Sequence, residues 1–131
     1  IAVWHMADGS LYKRLKGHSE IVRSLAFTLD SQRLLSGTIG GTLKLWDIST
    51  GECLRTDTDY DDLICSIALH PDGQCLATND VKPQLRLQQI ETGSTLKIFQ
   101  VPRPYDRMNI EGALGITSAQ RSALQNLGAV S

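Results

Sequence analysis

The stretch Thr42-Leu43-Lys44-Leu45-Trp46-Asp47 decides the fold of this chain, because related stretches lie 42 positions away on both sides. The step of 42 leads from Trp46 back to Trp4 and forward to Gln88. It also pairs Ser24-Leu25-Ala26-Phe27 with Ser66-Ile67-Ala68-Leu69 without a gap. Three glycines keep the same spacing: Gly9, Gly51 and Gly93. The chain is therefore a tandem repeat with a fixed period.

Each period contains short apolar runs separated by turn residues, which is typical of antiparallel strands. In the central period the predicted strands span residues 21–27, 33–37, 42–46 and 53–55. The next period gives 63–69, 75–78, 85–88 and 95–99, and the shortened first period keeps 1–4 and 11–15. Turns such as Ile39-Gly40-Gly41 suit tight connections, since glycine accepts positive φ. A period in the low forties with four strands predicts the blades of a β-propeller.

The predicted fold is all-β: a partial propeller of about two and a half four-stranded antiparallel blades. Residues 1–15 form a partial blade, and residues 17–58 and 59–100 form two full periods. Residues 101–131 break the period and form a C-terminal extension. There Thr117 and Gln120 make a capping box, which predicts a short helix over about residues 118–127.

Composition excludes several classes of function. The net charge of −1 argues against nucleic-acid binding, which usually needs a basic surface. No apolar run approaches the roughly 18 residues of a membrane span. Three cysteines without Cys-x-x-Cys spacing predict neither a disulfide framework nor a zinc site, and reduced thiols suit a cytoplasmic location. The chain opens on a predicted strand rather than on Met, so further blades are expected upstream.

Gly17-His18, Ser36-Gly37 and Leu45-Trp46-Asp47 resemble the motifs of the WD-repeat β-propeller family. The resemblance covers about residues 1–100. It implies a structural network in which a histidine, a serine or threonine, an aspartate and the tryptophan indole are joined by hydrogen bonds. Carried over, the network residues are His18, Ser36, Trp46 and the following Asp47, with Thr78 in the next repeat.

The implied network departs from the family pattern at two places. Its acid position falls on Gly40, so an aspartate introduced at position 40 is expected to stabilise the protein. In the next repeat only Thr78 fits, because Tyr60, Lys82 and Gln88 stand where the histidine, the aspartate and the tryptophan belong. We therefore expect that blade to depend on packing and Gln88 to be more exposed than Trp46.

The tail carries a second, narrower resemblance. Residues 103–110, Gly115-Ile116-Thr117 and Leu127-Gly128-Ala129 resemble a C-terminal extension of bacterial, chiefly cyanobacterial, multidomain WD-repeat proteins. In those proteins the amino-terminal part is often a signalling nucleotide-binding domain of the apoptotic-ATPase kind. The printed residues contain no Walker-type phosphate loop, so no nucleotide site of that type is expected in them.

No catalytic, cofactor or metal site is expected. The three histidines fall in different repeats or loop positions, and the acidic run Asp57–Asp62 lacks the glycine and final glutamate of a calcium loop. That run is either a solvated loop or a site for a basic partner. Propellers bind through the loops at one rim, since loops carry function. The candidate rim residues are Ser19, Glu20, Thr38, Ile39, Asp61, Asp62, Asp80 and Lys82.

The leading functional hypothesis is a non-catalytic protein–protein interaction module that binds a protein or peptide. In a signalling ATPase it would act as the sensor. Two alternatives remain: a piece of a multidomain enzyme whose active site lies upstream, and a passive scaffold subunit. Besides the partner, the expected contacts are the remaining propeller blades of the parent chain.

Overall fold

The computed structural model describes residues 1–82 and 84–100, and these form antiparallel β-strands joined by turns. The helix predicted over residues 118–127, like the rest of the extension 101–131, lies outside the described residues. The strands are β1 Ala2–Trp4, β2 Leu11–Arg14, β3 Val22–Phe27, β4 Arg33–Thr38, β5 Leu43–Asp47, β6 Cys53–Asp57, β7 Ile64–Leu69, β8 Cys75–Asp80, β9 Gln84–Gln89 and β10 Thr95–Gln100.

The strands form two four-stranded sheets and one two-stranded ribbon. Strands β3–β4–β5–β6 make the first sheet, called here the Trp46 sheet, and β7–β8–β9–β10 make the second, called the Gln88 sheet. Strands β1 and β2 make the ribbon. Every hydrogen-bonded neighbour is also a sequence neighbour, so each sheet is a meander of hairpins. The prediction of all-β structure with four-stranded antiparallel blades is confirmed.

Alternation along β4 and β5 distributes the apolar residues between the two faces of the Trp46 sheet. Leu34 and Trp46 face the ribbon and bury a cluster completed by Leu15 and Ile48. The other face packs toward the Gln88 sheet in a cluster of Leu35, Leu43, Leu45, Tyr60, Ile64, Leu76 and Ile90. The core therefore consists of two layers, one on each side of the Trp46 sheet.

The repeat also sets the turns. Gly9, Gly51 and Gly93 have φ angles of 70°, 80° and 73°, a region that glycine enters without steric cost. Each one closes the turn after the third strand of its period, as the 42-residue step predicts. Because successive strands are antiparallel, the loops around residues 15–21, 39–42, 58–63 and 81–82 lie at one end of the sheets, here called the rim. In the described ranges no helix is long and apolar enough to cross a membrane.

Candidate functional site

One cleft at the rim collects three of the predicted partner-binding residues. Ser19, Glu20 and Thr38 line a pocket of about 220 Å³ together with side chains from β5 and β6. The remaining lining residues are Gly17, His18, Thr42, Lys44, Thr56 and Thr58. The lining carries several hydroxyl groups, one carboxylate, one ammonium and one imidazole. Such a surface offers both donors and acceptors to a polar ligand.

Glu20 is held in this cleft by a hydrogen bond. Thr38 Oγ1 donates a hydrogen bond to Glu20 Oε2 over 2.9 Å, and the same hydroxyl accepts from the backbone N–H of Thr42 over 3.1 Å. A Cβ atom at Gly40 would lie within contact distance of the Glu20 carboxylate. The missing side chain at Gly40 thus leaves the space that Glu20 fills. Ile39, the fourth predicted residue in this blade, is exposed beside it.

The four rim residues predicted in the Gln88 sheet lie at the same end. Lys82 Nζ is 2.9 Å from Asp61 Oδ2, and this ion pair raises the pKa of Lys82 and lowers the pKa of Asp61. Both groups are exposed, so the pair contributes little to stability. Asp62 is also exposed and accepts a hydrogen bond from the backbone N–H of Leu63. Asp80 is half-buried, and its Oδ1 has no hydrogen-bond partner among the described residues.

Beneath the rim, His18, Ser36 and Trp46 form the predicted hydrogen-bonded network. Trp46 Nε1 donates to Ser36 Oγ over 2.8 Å, and His18 Nε2 lies 2.6 Å from the same hydroxyl oxygen. The His18 and Trp46 rings are 5.3 Å apart at an angle of 53°. Burial lowers the pKa of His18, and the nearby Lys44 ammonium adds to the decrease. A neutral imidazole is therefore the favoured form at neutral pH.

Asp47 takes no part in the hydrogen bonds of that network. Its Oδ1 accepts from Ser49 Oγ over 2.6 Å and from the backbone N–H of Thr50 over 3.0 Å, so it orders the turn after β5. These hydrogen bonds, with Ser49 first, lower the pKa of Asp47. Its role is structural, but it acts on the turn at the end of the sheet opposite the rim.

The expectation that the Gln88 sheet depends on packing alone is wrong. Thr78 Oγ1 donates to Tyr60 Oη over 3.1 Å, and Tyr60 Oη in turn donates to Gln88 Oε1. Gln88 Nε2 donates to the backbone oxygen of Gly93 over 3.2 Å. Gln88 is 0% exposed, which corrects the expectation that it lies nearer the surface than Trp46. Burial raises the pKa of Tyr60.

This second network occupies the three positions that lie 42 residues after His18, Ser36 and Trp46. The sequence did contain a signal for it: each of the three residues can donate or accept a hydrogen bond. The side chains at two of these positions differ from the family pattern. Only their spacing of 42 residues indicates that they form the equivalent network. Arg86 lies 4.5 Å from the centre of the Tyr60 ring, a cation–π contact. Its guanidinium also donates a hydrogen bond to the backbone oxygen of Asp59.

The described residues offer neither a metal cluster nor an exposed serine paired with a histidine. Across residues 1–82 and 84–100, no group of three or more His, Cys, Asp and Glu side chains is arranged to hold a metal ion. Cys53, Cys65 and Cys75 are free thiols. Ser36 is 0% exposed and accepts from Trp46, so its short contact to His18 does not present a nucleophile at the surface.

Comparisons with known proteins agree with the repeat. The family model described as "WD domain, G-beta repeat" matches residues 9–47 and 51–81, more than half of the chain. A crystal structure of RRP9 WD40 repeats is similar with a TM-score of 0.64 and 20% sequence identity, over 66% of this chain and 28% of that one. A structure of U3-55K is similar with a TM-score of 0.64 and 19% identity over the same shares. The chain thus spans about 28% of the length of these structures, and at this identity the likeness concerns the fold.

Proposed function

This chain belongs to the WD domain, G-beta repeat family, and on that premise we propose that it is a non-catalytic module that binds a protein or peptide at its rim. WD repeats generally mediate protein–protein interaction. The observation that carries the proposal is the cleft of about 220 Å³, where Ser19 and Glu20 from the loop before β3 meet Thr38 at the end of β4. The partner meets donors and acceptors there whose positions are fixed by the sheet below.

The rim is supported from beneath, which favours binding without a large ordering cost. The His18–Ser36–Trp46 network ties the loop before β3 to strands β4 and β5. The Thr38–Glu20 hydrogen bond ties the same loop to the end of β4. A preorganised surface loses less conformational entropy when a partner docks on it. The cleft is therefore suited to recognise an extended segment of another polypeptide.

The finer roles are part of the same proposal. The tail at residues 103–129, which resembles the extension of multidomain bacterial WD-repeat proteins, supports a sensor role in a signalling ATPase. The free thiols of Cys53, Cys65 and Cys75 support a cytoplasmic location. The complete coding sequence discriminates between the roles. An upstream Walker motif supports the sensor role, and an upstream catalytic domain supports the multidomain enzyme. The absence of both features supports the scaffold role.

Site-specific photo-cross-linking tests whether the rim contacts a protein. A photoreactive amino acid replaces Ser19 in the cleft, and the matched control carries it at Thr92, an exposed turn residue at the opposite end of the sheets. We expect a discrete cross-linked polypeptide from position 19 and none from position 92. The cross-linked polypeptide is then purified, and its affinity for the protein is measured. Substitutions in the cleft should lower that affinity about tenfold or more. Equal labelling at both positions would contradict a rim-directed interaction.

A further inference from the structure

Exposed aliphatic residues recur on the rim of both sheets. Ile39 N donates to the backbone oxygen of Ile21 over 3.0 Å, which places the two residues side by side just beyond β3 and β4. Ile21 is 67% exposed and Ile39 is 44% exposed. In the Gln88 sheet, Ile64 pairs with Asp80, so Leu63 and Val81 are the next residues outward. Val81 is 56% exposed, and it lies 42 positions after Ile39.

Within residues 1–82 and 84–100, the exposed members of this set lie outside the buried core. Neither buried cluster includes Ile21, Ile39 or Val81. β3 and β7 are the adjacent strands of the two sheets, so the two aliphatic pairs lie on neighbouring blades of one rim. Exposed apolar residues that recur on one surface mark an interaction site more often than isolated ones. We call the set Ile21, Ile39, Leu63 and Val81 the aliphatic rim.

The charge around the aliphatic rim has one dominant sign. Glu20 directly precedes Ile21, and Asp62 directly precedes Leu63. Among the charged residues of the candidate rim set, the acids are Glu20, Asp61, Asp62 and Asp80, and the base is Lys82. The Lys82 ammonium is already paired with Asp61 at 2.9 Å.

Two further cations near the rim contact neutral side chains. Lys44 Nζ donates to Thr56 Oγ1 over 3.0 Å, and Arg86 stacks on Tyr60. The rim loops 15–21, 39–42, 58–63 and 81–82 carry two ammonium groups (Lys16 and Lys82) and four carboxylates (Glu20, Asp59, Asp61 and Asp62), so a partner meets a net charge of −2 beside the exposed aliphatic groups.

From this arrangement we propose that the rim recognises a polypeptide segment that presents aliphatic side chains together with lysine or arginine. The aliphatic side chains pack on Ile21, Ile39 and Val81, and the cations pair with Glu20 and Asp62. This inference rests on the proposed function, because it names the chemistry of the partner that the rim binds. Its selectivity comes from opposite charge, since an acidic segment of the same apolar content is repelled.

The test measures binding of short labelled peptides to the full-length protein by fluorescence anisotropy. One probe alternates leucine with lysine, a second has glutamate in place of lysine, and a third has serine in place of leucine. We expect the leucine–lysine probe to bind at least about tenfold more tightly than either of the others. Its affinity should fall as salt is added, because exposed charges are screened.

Variants locate the binding on the rim. Ile39→Ser combined with Val81→Ser should weaken the leucine–lysine probe about tenfold, and Glu20→Gln combined with Asp62→Asn should weaken it and flatten the salt dependence. The matched control is Leu54→Ser, which removes a leucine that is 51% exposed on the outer strand β6 and should leave binding unchanged.

Two results overturn the inference: equal affinity for the lysine and glutamate probes, or no binding by any probe. Unchanged binding by the rim variants overturns it as well. The cross-linking experiment separates this failure from that of the proposed function. If position 19 still cross-links to a protein whose binding depends on the rim, the rim binds a polypeptide of other chemistry. If position 19 gives no cross-link and no probe binds, both proposals fail together.

Discussion

The Trp46 sheet and the Gln88 sheet solve the same structural problem with different side chains. In the Trp46 sheet the hub is Ser36 on the second strand, which receives the indole N–H and contacts His18. In the Gln88 sheet the hub moves to Tyr60, which lies in the loop before β7 and links Thr78 to Gln88. The positions are 42 residues apart, yet only the serine or threonine is chemically similar.

The difference teaches what a repeat fixes. Leaving a buried polar group without a hydrogen-bond partner destabilises a protein by more free energy than one ordinary hydrogen bond contributes. Each substitution in the repeat must therefore keep the buried groups hydrogen-bonded. Gln88 fills the tryptophan position because its amide accepts from Tyr60 and donates to Gly93. The repeat therefore fixes three positions and their connection, whereas the atoms that make the connection are free to change.

The largest expected effect separates the two third-strand residues. Trp46→Ala should destabilise the full-length protein by about 3–5 kcal/mol, because it empties a fully buried aromatic site. Gln88→Ala should cost about 1–3 kcal/mol, since it removes less volume but leaves the Tyr60 hydroxyl without its acceptor. Denaturant melts of both variants measure the difference. Equal losses would show that the indole contributes nothing beyond what the amide does.

A glycine compared with its equivalent tests the packing between the sheets. A Cβ at Gly37 would lie 2.7 Å from Ile64 Cγ2 and 2.8 Å from Ser24 Oγ. Gly37→Ala should therefore cost about 1–3 kcal/mol through overpacking. Asn79 holds the equivalent position and is exposed, so Asn79→Ala should change the free energy of unfolding by less than about 0.5 kcal/mol. A tolerated Gly37→Ala would mean that the interface adjusts freely.

The sequence predicted the strands well, because alternation and turn residues act locally. Every predicted strand exists, and most bounds shift by only one or two residues, as for β6, which runs to Asp57 instead of residue 55. The network of the Trp46 sheet was also predictable, since its residues match a known pattern.

Two features of the candidate site could not be predicted, because they depend on which side chains meet in space. Gln88 is polar, and its burial depends on the Tyr60 hydroxyl, which reaches it from 28 residues away. Glu20 fills the space at Gly40 from a different loop, so no local pattern signals that contact. Ser19 and Glu20 from the loop before β3 line one cleft with Thr38 at the end of β4, whereas their partner-binding role stays a prediction.

The third prediction revises the expectation for an aspartate at position 40. Gly40→Asp alone should give no gain in stability, because its side chain would compete with the Glu20 carboxylate for the same space. In a Glu20→Ala background the same change should stabilise by about 0.5–1.5 kcal/mol, the usual contribution of one hydrogen bond to His18. A double-mutant cycle by thermal melting measures the coupling. Additive effects would show that Glu20 and position 40 do not share the site.

A smaller effect is expected at the hairpin turns between the first and second strands. Ser31 has a φ of 57°, and the equivalent Gly73 has a φ of 72°. Glycine relieves the left-handed strain at Ser31, but it also increases the backbone entropy of the unfolded chain. The net effect of Ser31→Gly should be a stabilisation of about 0.5 kcal/mol. The reciprocal Gly73→Ser should destabilise by about 1 kcal/mol. Thermal melts that move both variants in the same direction would contradict the equivalence of the turns.

The smallest expected effect is on pH dependence, where the two networks should differ in sign. The pKa of His18 is lowered from its ordinary value of 6.5, chiefly by burial, so its contribution to stability is complete above 6.5 and is lost as the pH falls toward the folded value. The pKa of Tyr60 is raised from 10.0, also chiefly by burial. Its contribution is therefore complete below 10 and is lost as the pH rises toward the folded value.

Melting temperatures across the pH range, compared between wild type and variants, separate the two contributions. The difference between wild type and His18→Gln should shrink on the acid side, and the difference between wild type and Tyr60→Phe should shrink on the alkaline side. The acid effect should be modest, because solvent screens the partly exposed His18. If both differences vanish on the same side of neutrality, the pKa of His18 and the pKa of Tyr60 are not shifted in the opposite directions that their burial implies.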